Sequence, residues 1–427
     1  MQKTLAMILA GGRVDELSVL TQFRPKSAVP FGGLYRVIDF PLSNLMHSGI
    51  ENVGILSQYR SFSLINHIGN GSAWEMVGRN RGVSILPPYT AHTLSHWYRG
   101  NADAVYQNQE FIRMQRPDLV LVLSGDHIYS MNYNPVLEFH RKHDADLTMV
   151  FTKVQHAQAQ RFGLGAIENG DPQGGRLLKY SEKPETWPED STWASITIYV
   201  FKPEALFKVL TEHARLGPKS YEFGKDIIPM MMENYRVFGY KYEGYWGYTR
   251  TIDEYWNTSM HLLGEAPLID PGKWKVRTNL EHNATRDKAP AWIGPQAQIE
   301  NSLIYSGCRI NGRVKNSILF PGADVSEGCV VEDSILMFDS KVQSGTTLHK
   351  VITDARVRIG SDCALGEGDA TQPNEEYPHL LRTGITLIGH GAKIPARRKI
   401  GTNCIVHPEL VEEQFRQMEY ESGVSIL

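Results

Sequence analysis

Over its first 260 or so residues the chain alternates apolar runs of strand length with stretches whose apolar positions recur at helical spacing. That alternation predicts an α/β layer with a mainly parallel sheet. Ala6–Leu9, Val53–Leu56, Leu119–Leu123, Leu147–Val154 and Ser195–Phe201 read as strands, and Leu42–Ser48, Ala102–Gln115 and Pro135–His143 as helices. The pattern then changes. From Ile293 onward small hydrophobics recur every six residues: Ile293 and Ile299, Ile304 and Ile310, Leu319 and Val325, Leu336, Val342 and Leu348, Ile359 and Leu365, then Ile388, Ile394, Ile400 and Val406. A period of six predicts a hexapeptide-repeat parallel β-helix, whose turns stack and are not stable singly. Residues 366–384, rich in Gly, Pro, Glu and Asn, break the period and read as a loop thrown out from the coil. Pro267, Pro271 and Pro290 punctuate a polar stretch between the two patterns. The expected organisation is a domain over 1–260, a linker over 261–290, and a coil over 291–427 that serves assembly and regulation.

The sharpest local signal is Leu5-Ala-Met-Ile-Leu-Ala-Gly-Gly12 followed by a polar loop. An apolar run ending on paired glycines predicts a buried parallel strand feeding a loop whose N–H groups can approach phosphate. A plain tight turn is the competing reading. Asp126 sits just past the strand in Leu119-Val-Leu-Val-Leu-Ser-Gly-Asp-His127. Ligand crevices of open α/β sheets lie at the carboxyl ends of strands, which makes Asp126 a candidate metal ligand or catalytic group, with capping of the next turn as the alternative.

Composition narrows the classes. A net charge of −3 gives no electrostatic footprint for nucleic acid or anionic lipid, so small-molecule partners are expected. The N-terminal apolar stretch is too short to span a bilayer and lacks a small-residue cleavage site, so a cytoplasmic location is expected. Cys308, Cys329, Cys363 and Cys404 show no Cys-x-x-Cys spacing, which predicts buried thiols and not a zinc site or a disulfide framework.

Several stretches together resemble the ADP-glucose pyrophosphorylase (glucose-1-phosphate adenylyltransferase) family over essentially the whole chain. They include Leu9-Ala-Gly-Gly12, Arg24-Pro-Lys26, Pro30-Phe-Gly-Gly33, Arg36-Val-Ile-Asp-Phe-Pro-Leu-Ser-Asn44, Trp97-Tyr98, Ser124-Gly-Asp-His-Ile-Tyr129, Glu182-Lys-Pro184 and Phe223-Gly-Lys-Asp-Ile-Ile-Pro229. The resemblance implies an α/β, Rossmann-like nucleotidyltransferase domain followed by a C-terminal hexapeptide-repeat parallel β-helix. It implies ATP and glucose 1-phosphate as substrates, Mg²⁺ as cofactor, and a homotetramer or a hetero-oligomer with an active paralogue. Residue by residue it makes Lys26 a phosphate contact and Asp126 a metal ligand. Lys183 would hold the sugar phosphate, and Gly11, Gly12, Tyr98, Gly163, Glu182 and Ser195 would line the substrate sites.

The chain departs from the family pattern where the chemistry is implied. The family loop Gly-Gly-x-Gly-x-Arg-Leu reads Gly11-Gly-Arg-Val-Asp-Glu-Leu17, with Val14 for the third glycine and Glu16 for the arginine. Two like charges about 4 Å apart cost roughly 4 kcal/mol near a protein surface, so Glu16 against a triphosphate predicts weakened binding. The family's Tyr-Trp-x-Asp-Val-Gly-Thr reads Tyr245-Trp-Gly-Tyr-Thr-Arg-Thr251, with Tyr248 for an aspartate and Arg250 for a glycine. A phenol is a poor Mg²⁺ ligand. Asn101, Thr197 and Glu222 are smaller departures. Four readings stay open: an active pyrophosphorylase with Arg250 replacing the lost arginine, a regulatory subunit or sugar-phosphate sensor with little turnover, a nucleotidyltransferase of changed substrate, and a β-helix acyltransferase using His349, His390 or His407. Arg382, Lys393, Arg397, Arg398 and Lys399 form either an anion site or a solvated face.

Overall fold

The computed structural model describes residues 3–12, 15–88, 97–187, 192–281 and 285–427. They fall into two compact units, one made of Met1–Gly12, Phe40–Ser61 and Ile68–Trp246, the other of Arg13–Asp39, Phe62–His67 and Gly247–Leu427.

The first unit is built on one sheet. Its strands are β1 (Thr4–Leu9), β2 (Asn52–Leu56), β3 (Arg81–Leu86), β4 (Leu119–Ser124), β5 (Leu147–Lys153), β6 (Gly163–Ile167), β7 (Gly174–Glu182), β8 (Trp193–Phe201) and β9 (Val237–Lys241). The order is β6-β7-β9-β5-β8-β4-β1-β2-β3, with the short pair Val77–Gly78 at the β3 edge. β4, β1, β2 and β3 run parallel. Beyond them the sheet is mixed, because β8 enters antiparallel between β4 and β5. Leu5, Met7, Val120 and Val122 are fully buried and pack with Phe151, Phe201 and Phe223. Each such side chain contributes about 1.5–3 kcal/mol by leaving water.

The five strands and the helices expected from the sequence are present within a few residues, with one correction. Ala102–Gln115 is two helices, Asn101–Gln107 and Gln109–Gln115, broken at Asn108. The Asn108 amide turns inward to the Tyr98 hydroxyl and the Ala104 carbonyl, and the chain re-starts its helix after it. The 13-residue helix Pro203–Arg215 and strands β3, β6, β7 and β9 were not anticipated.

In the second unit three parallel sheets form a coil. One stacks Ile293, Ile310, Val325, Val342, Ile359 and Ile394. A second stacks Ile299, Val314, Val331, Leu348, Leu365, Ile400 and Tyr420. Shorter steps, four residues from Ile310 to Val314 and five from Val331 to Leu336 and from Leu348 to Thr353, interrupt the steps of six, which is why a strict period of six passes over Val314 and Thr353. Hydroxyls tie one corner together: Ser317 N–H donates to Ser302 Oγ, Ser334 N–H to Ser317 Oγ, and Val351 N–H to Ser334 Oγ, all at 3.0–3.1 Å. The four cysteines are buried free thiols, and burial pushes Cys404 up to about 11. Between Met260 and Trp292 the described residues hold no helix or strand.

Residues 366–384 are not thrown out; they fold back on the last coils. Asn374 is fully buried, its amide donating to the carbonyls of Asn403 at 3.0 Å and Gly423 at 3.1 Å while its Oδ1 accepts from Glu376 and Tyr377 N–H. Asn374→Ala leaves those groups unpartnered, at roughly 1–3 kcal/mol for each one that stays buried. The expected result is a loss of about 3 kcal/mol, read as faster amide exchange across 366–384 with exchange over 309–359 unchanged.

Candidate functional site

In the first unit the parallel strands end together. Leu9 of β1 pairs with Leu56 and with Ser124, so three chains leave the sheet at one edge. A Cβ at Gly11 would lie 2.8 Å from Gln58 N and 2.9 Å from the Ser57 Cα, so only glycine lets β1 leave between them, whereas a Cβ at Gly12 meets nothing. Asp126 follows β4 at the same edge. Ser124 Oγ donates to its Oδ1, and His127 Nε2 lies 3.4 Å from that oxygen. Tyr98 is brought close by a reciprocal bond with Gln58, its N–H donating to Gln58 Oε1 at 2.8 Å. Its hydroxyl donates to the Leu86 carbonyl and accepts from Asn108, so its polar atoms are engaged within the protein.

Gly163, Glu182, Lys183 and Ser195 are brought together by the β6–β7–β8 ends. Gly163 pairs with Glu182, and Leu164 pairs with Ala194, the residue before Ser195. A Cβ at Gly163 would stand 2.6 Å from Glu182 Oε2, and one at Gly224 would stand 2.2 Å from it, so two glycines make room for that carboxylate. Tyr180 donates to Glu182 Oε2 at 2.6 Å. Lys183 is exposed and held at φ 46°, a left-handed turn that lifts its side chain out of the strand. β8 shifts register between Ser195 and Tyr199, where Thr197 takes φ 54°, a strained value for a β-branched residue. Ser195 Oγ reaches the Tyr199 hydroxyl at 3.4 Å, and burial raises Tyr199 to about 12. Glu222, a minor departure in the sequence, belongs to this group: burial raises its pKa, the Asn101 contact and Lys183 oppose the shift, and the charges of Asp226 and Glu182 add to it. Tyr180 was missed, because a tyrosine two residues before the Glu-Lys-Pro motif shows its role only through strand alternation.

The second unit carries Lys26, Glu16, Tyr248 and Arg250, and the last three are the departures noted above. Lys26 is buried, with its Nζ 5.1 Å from the centre of the Tyr248 ring. Arg250 Nε donates to Glu16 Oε1 at 2.8 Å. Burial alone would lower the basicity of the Arg250 guanidinium, but Tyr248 and Glu16 together drive it up. The helix on its C-terminal side fixes Arg250: Thr251 caps helix Ile252–Met260, Glu254 completes the capping box, and Arg250 N–H donates to Glu254 Oε2 at 3.2 Å. Val14 lies outside the described residues.

Among the described residues no group of three or more His, Cys, Asp or Glu side chains forms a ready metal site. Mg²⁺ does not need one, since it is commonly held by one or two carboxylates plus substrate phosphates. Asp126, a partly exposed carboxylate at the strand ends, fits that requirement. Tyr248 does not, its ring and hydroxyl being engaged with Lys26 and Arg250. Among the coil histidines, His349 is exposed beside Asp333, and His390 and His407 are held toward the neutral form by burial. Lys393 and Lys399 are exposed, each beside a buried isoleucine, Ile394 and Ile400, and Lys399 Nζ lies 3.7 Å from Glu419 Oε2.

A family model described as Nucleotidyl transferase matches residues 5–265, and one described as GlmU-like, C-terminal hexapeptide, matches 291–388. The chain is 39% identical to a glucose-1-phosphate adenylyltransferase of Acetivibrio thermocellus over 431 residues, covering 100% of this chain and 98% of the relative. It is 40% identical to that of Thermomicrobium roseum, with the same coverage, and 38% identical to that of Thermotoga neapolitana, covering 100% and 99%. The chain belongs to the glucose-1-phosphate adenylyltransferase family. Among the described residues no helix is long and apolar enough to cross a membrane.

For this member of the adenylyltransferase family the environment of Glu222 gives a direct test. Its folded pKa is raised, so between the unfolded and folded values the native state holds the extra proton and stability falls as pH rises. Glu222→Gln is expected to melt above the unaltered chain at pH 7, with the gap closing toward pH 4; a gap that does not change with pH would contradict the assignment.

Proposed function

We propose that the chain is an ADP-glucose pyrophosphorylase-type subunit that joins ATP and glucose 1-phosphate. The full-length identity to glucose-1-phosphate adenylyltransferases carries this reading. The gathering of Gly163, Glu182, Lys183 and Ser195 supports it. In the reaction a phosphate oxygen of glucose 1-phosphate bonds to the α-phosphorus of ATP as the bond to the β-phosphate breaks, giving ADP-glucose and pyrophosphate. Transfer of this kind asks the protein for positioning and charge neutralisation. Lys183 neutralises the sugar phosphate, Glu182 and Ser195 accept and orient sugar hydroxyls, and Lys26 contacts nucleotide phosphate. Mg²⁺, held by Asp126 with phosphate oxygens, neutralises charge on the polyphosphate when bound. The coil serves assembly into a homo- or hetero-oligomer.

A second reading, a subunit of low turnover, is favoured by one feature: Tyr248 stands where the family pattern has a second carboxylate, and the Lys26 ammonium faces its ring.

Pyrophosphate release from ATP, Mg²⁺ and glucose 1-phosphate separates the two. Under the first reading the unaltered chain turns over, Asp126→Ala lowers the rate about 10²–10³-fold, and Lys183→Gln raises KM for glucose 1-phosphate about tenfold or more with a smaller effect on kcat. Glucose 1-phosphate binding without pyrophosphate release supports the second. Neither binding nor release would overturn both.

A further inference from the structure

Glu16 and Arg250 are 234 positions apart in sequence and share a bond of 2.8 Å. Position 16 carries an acid, and the cation beside it comes from the turn ahead of a capped helix. Lys26 and Arg250 both meet the Tyr248 side chain, and Glu16 pairs with Arg250. The pair is open to solvent, Arg250 being 39% and Glu16 31% exposed at the side chain, so an anion from solution can reach it. Glu16 uses only the Nε of the fork, and Tyr248 shares the guanidinium. A guanidinium prefers paired bonds to a phosphate over a single bond to a carboxylate. A partly exposed ion pair of this sort is worth about 1 kcal/mol at most, so a ligand can displace it.

We propose that Glu16 is an internal anion that sets the phosphate charge this cluster accepts, so that Arg250 and Lys26 take a phosphoanion only against the Glu16 carboxylate and the penalty grows with the ligand's charge. The proposal rests on the reading above that Lys26 contacts the nucleotide's phosphates, and it deepens that reading by making Glu16 and Arg250 a specificity-determining pair. A carboxylate repels a triphosphate more than an orthophosphate, because the Coulomb energy scales with the ligand's charge, whereas loss of a packing contact weakens all phosphates alike.

The test is calorimetric titration of the full chain with orthophosphate, pyrophosphate and tripolyphosphate at low ionic strength without Mg²⁺. It is run on the unaltered protein, Glu16→Gln, Glu16→Asp, Arg250→Gln and the double variant Glu16→Gln/Arg250→Gln. The expected result is that Glu16→Gln tightens binding about twofold for orthophosphate and about tenfold for tripolyphosphate, that Glu16→Asp behaves as the unaltered chain, and that the gain disappears in the double variant. An equal change for all three ligands, weaker binding in Glu16→Gln, or no binding of tripolyphosphate to any variant would overturn it. Glucose 1-phosphate is titrated in parallel: its failure to bind the unaltered chain counts against the proposed function, while the charge series decides the role of Glu16 separately.

Discussion

The second unit depends on an ion pair that water does not reach. Asp354 is fully buried in the coil, and Arg24 is nearly so, its Nη2 donating to both carboxylate oxygens at 2.5–2.6 Å. Removing one partner of such a pair strands the other charge, at about 3–5 kcal/mol, so the pair is far more costly to break than to keep. Its consequence is positional. Burial of Leu17, Leu20, Val29, Phe31 and Ile38 within residues 15–39 is non-directional, and the Arg24 bond chooses the place among the positions that burial allows. The Tyr255 hydroxyl reinforces the choice by donating to the Pro30 carbonyl at 2.6 Å, as does Tyr305 donating to that of Gly32 at 2.6 Å. Lys26 lies two residues beyond Arg24, and Glu16 eight before it, so the pair sets which neighbours both receive.

Much of this was legible in the sequence, and the exceptions have physical causes. Strands β1, β2 and β4 are buried on both faces, so their apolar runs are unbroken and unmistakable. Strand β3 is half-buried throughout and reads as mixed, and β7 is mostly exposed along its middle; neither makes a run. The helix break at Asn108 hides inside an apolar period because the residue responsible is polar but points inward. In the coil, stacking fixed the inward positions, yet the five-residue steps were invisible to a search for six. The 366–384 segment was misjudged because its fit depends on the buried amides of Asn374 and Asn403, and two asparagines carry no periodicity.

The site residues divide in the same way. Gly11, Gly163 and Gly224 were readable as glycines, but what they admit is shown only by the neighbours a Cβ would strike. Glu182 and Lys183 came from a motif, whereas Tyr180 and Glu222 matter because strand pairing and burial put them beside that motif. Glu222 is held toward its neutral form by an environment that includes two further carboxylates, and Lys183 only partly offsets them. A set that puts carboxyl groups beside a lysine can bond hydroxyls at the one and meet an anion at the other.

Taken singly, Glu16 is a negative charge in the wrong place, Tyr248 a lost metal ligand and Arg250 an arginine where glycine is usual. Taken together they satisfy one another. The carboxylate that would repel a phosphate by several kcal/mol when bare is bonded to a guanidinium, so a phosphate that takes up the guanidinium meets the carboxylate beside it. The guanidinium is supported by the phenol, and the phenol offers its face to Lys26. Glu16 bonds Arg250, Arg250 meets the Tyr248 phenol and Lys26 faces its ring, so the three departures form one run of contacts with a charge arrangement of its own.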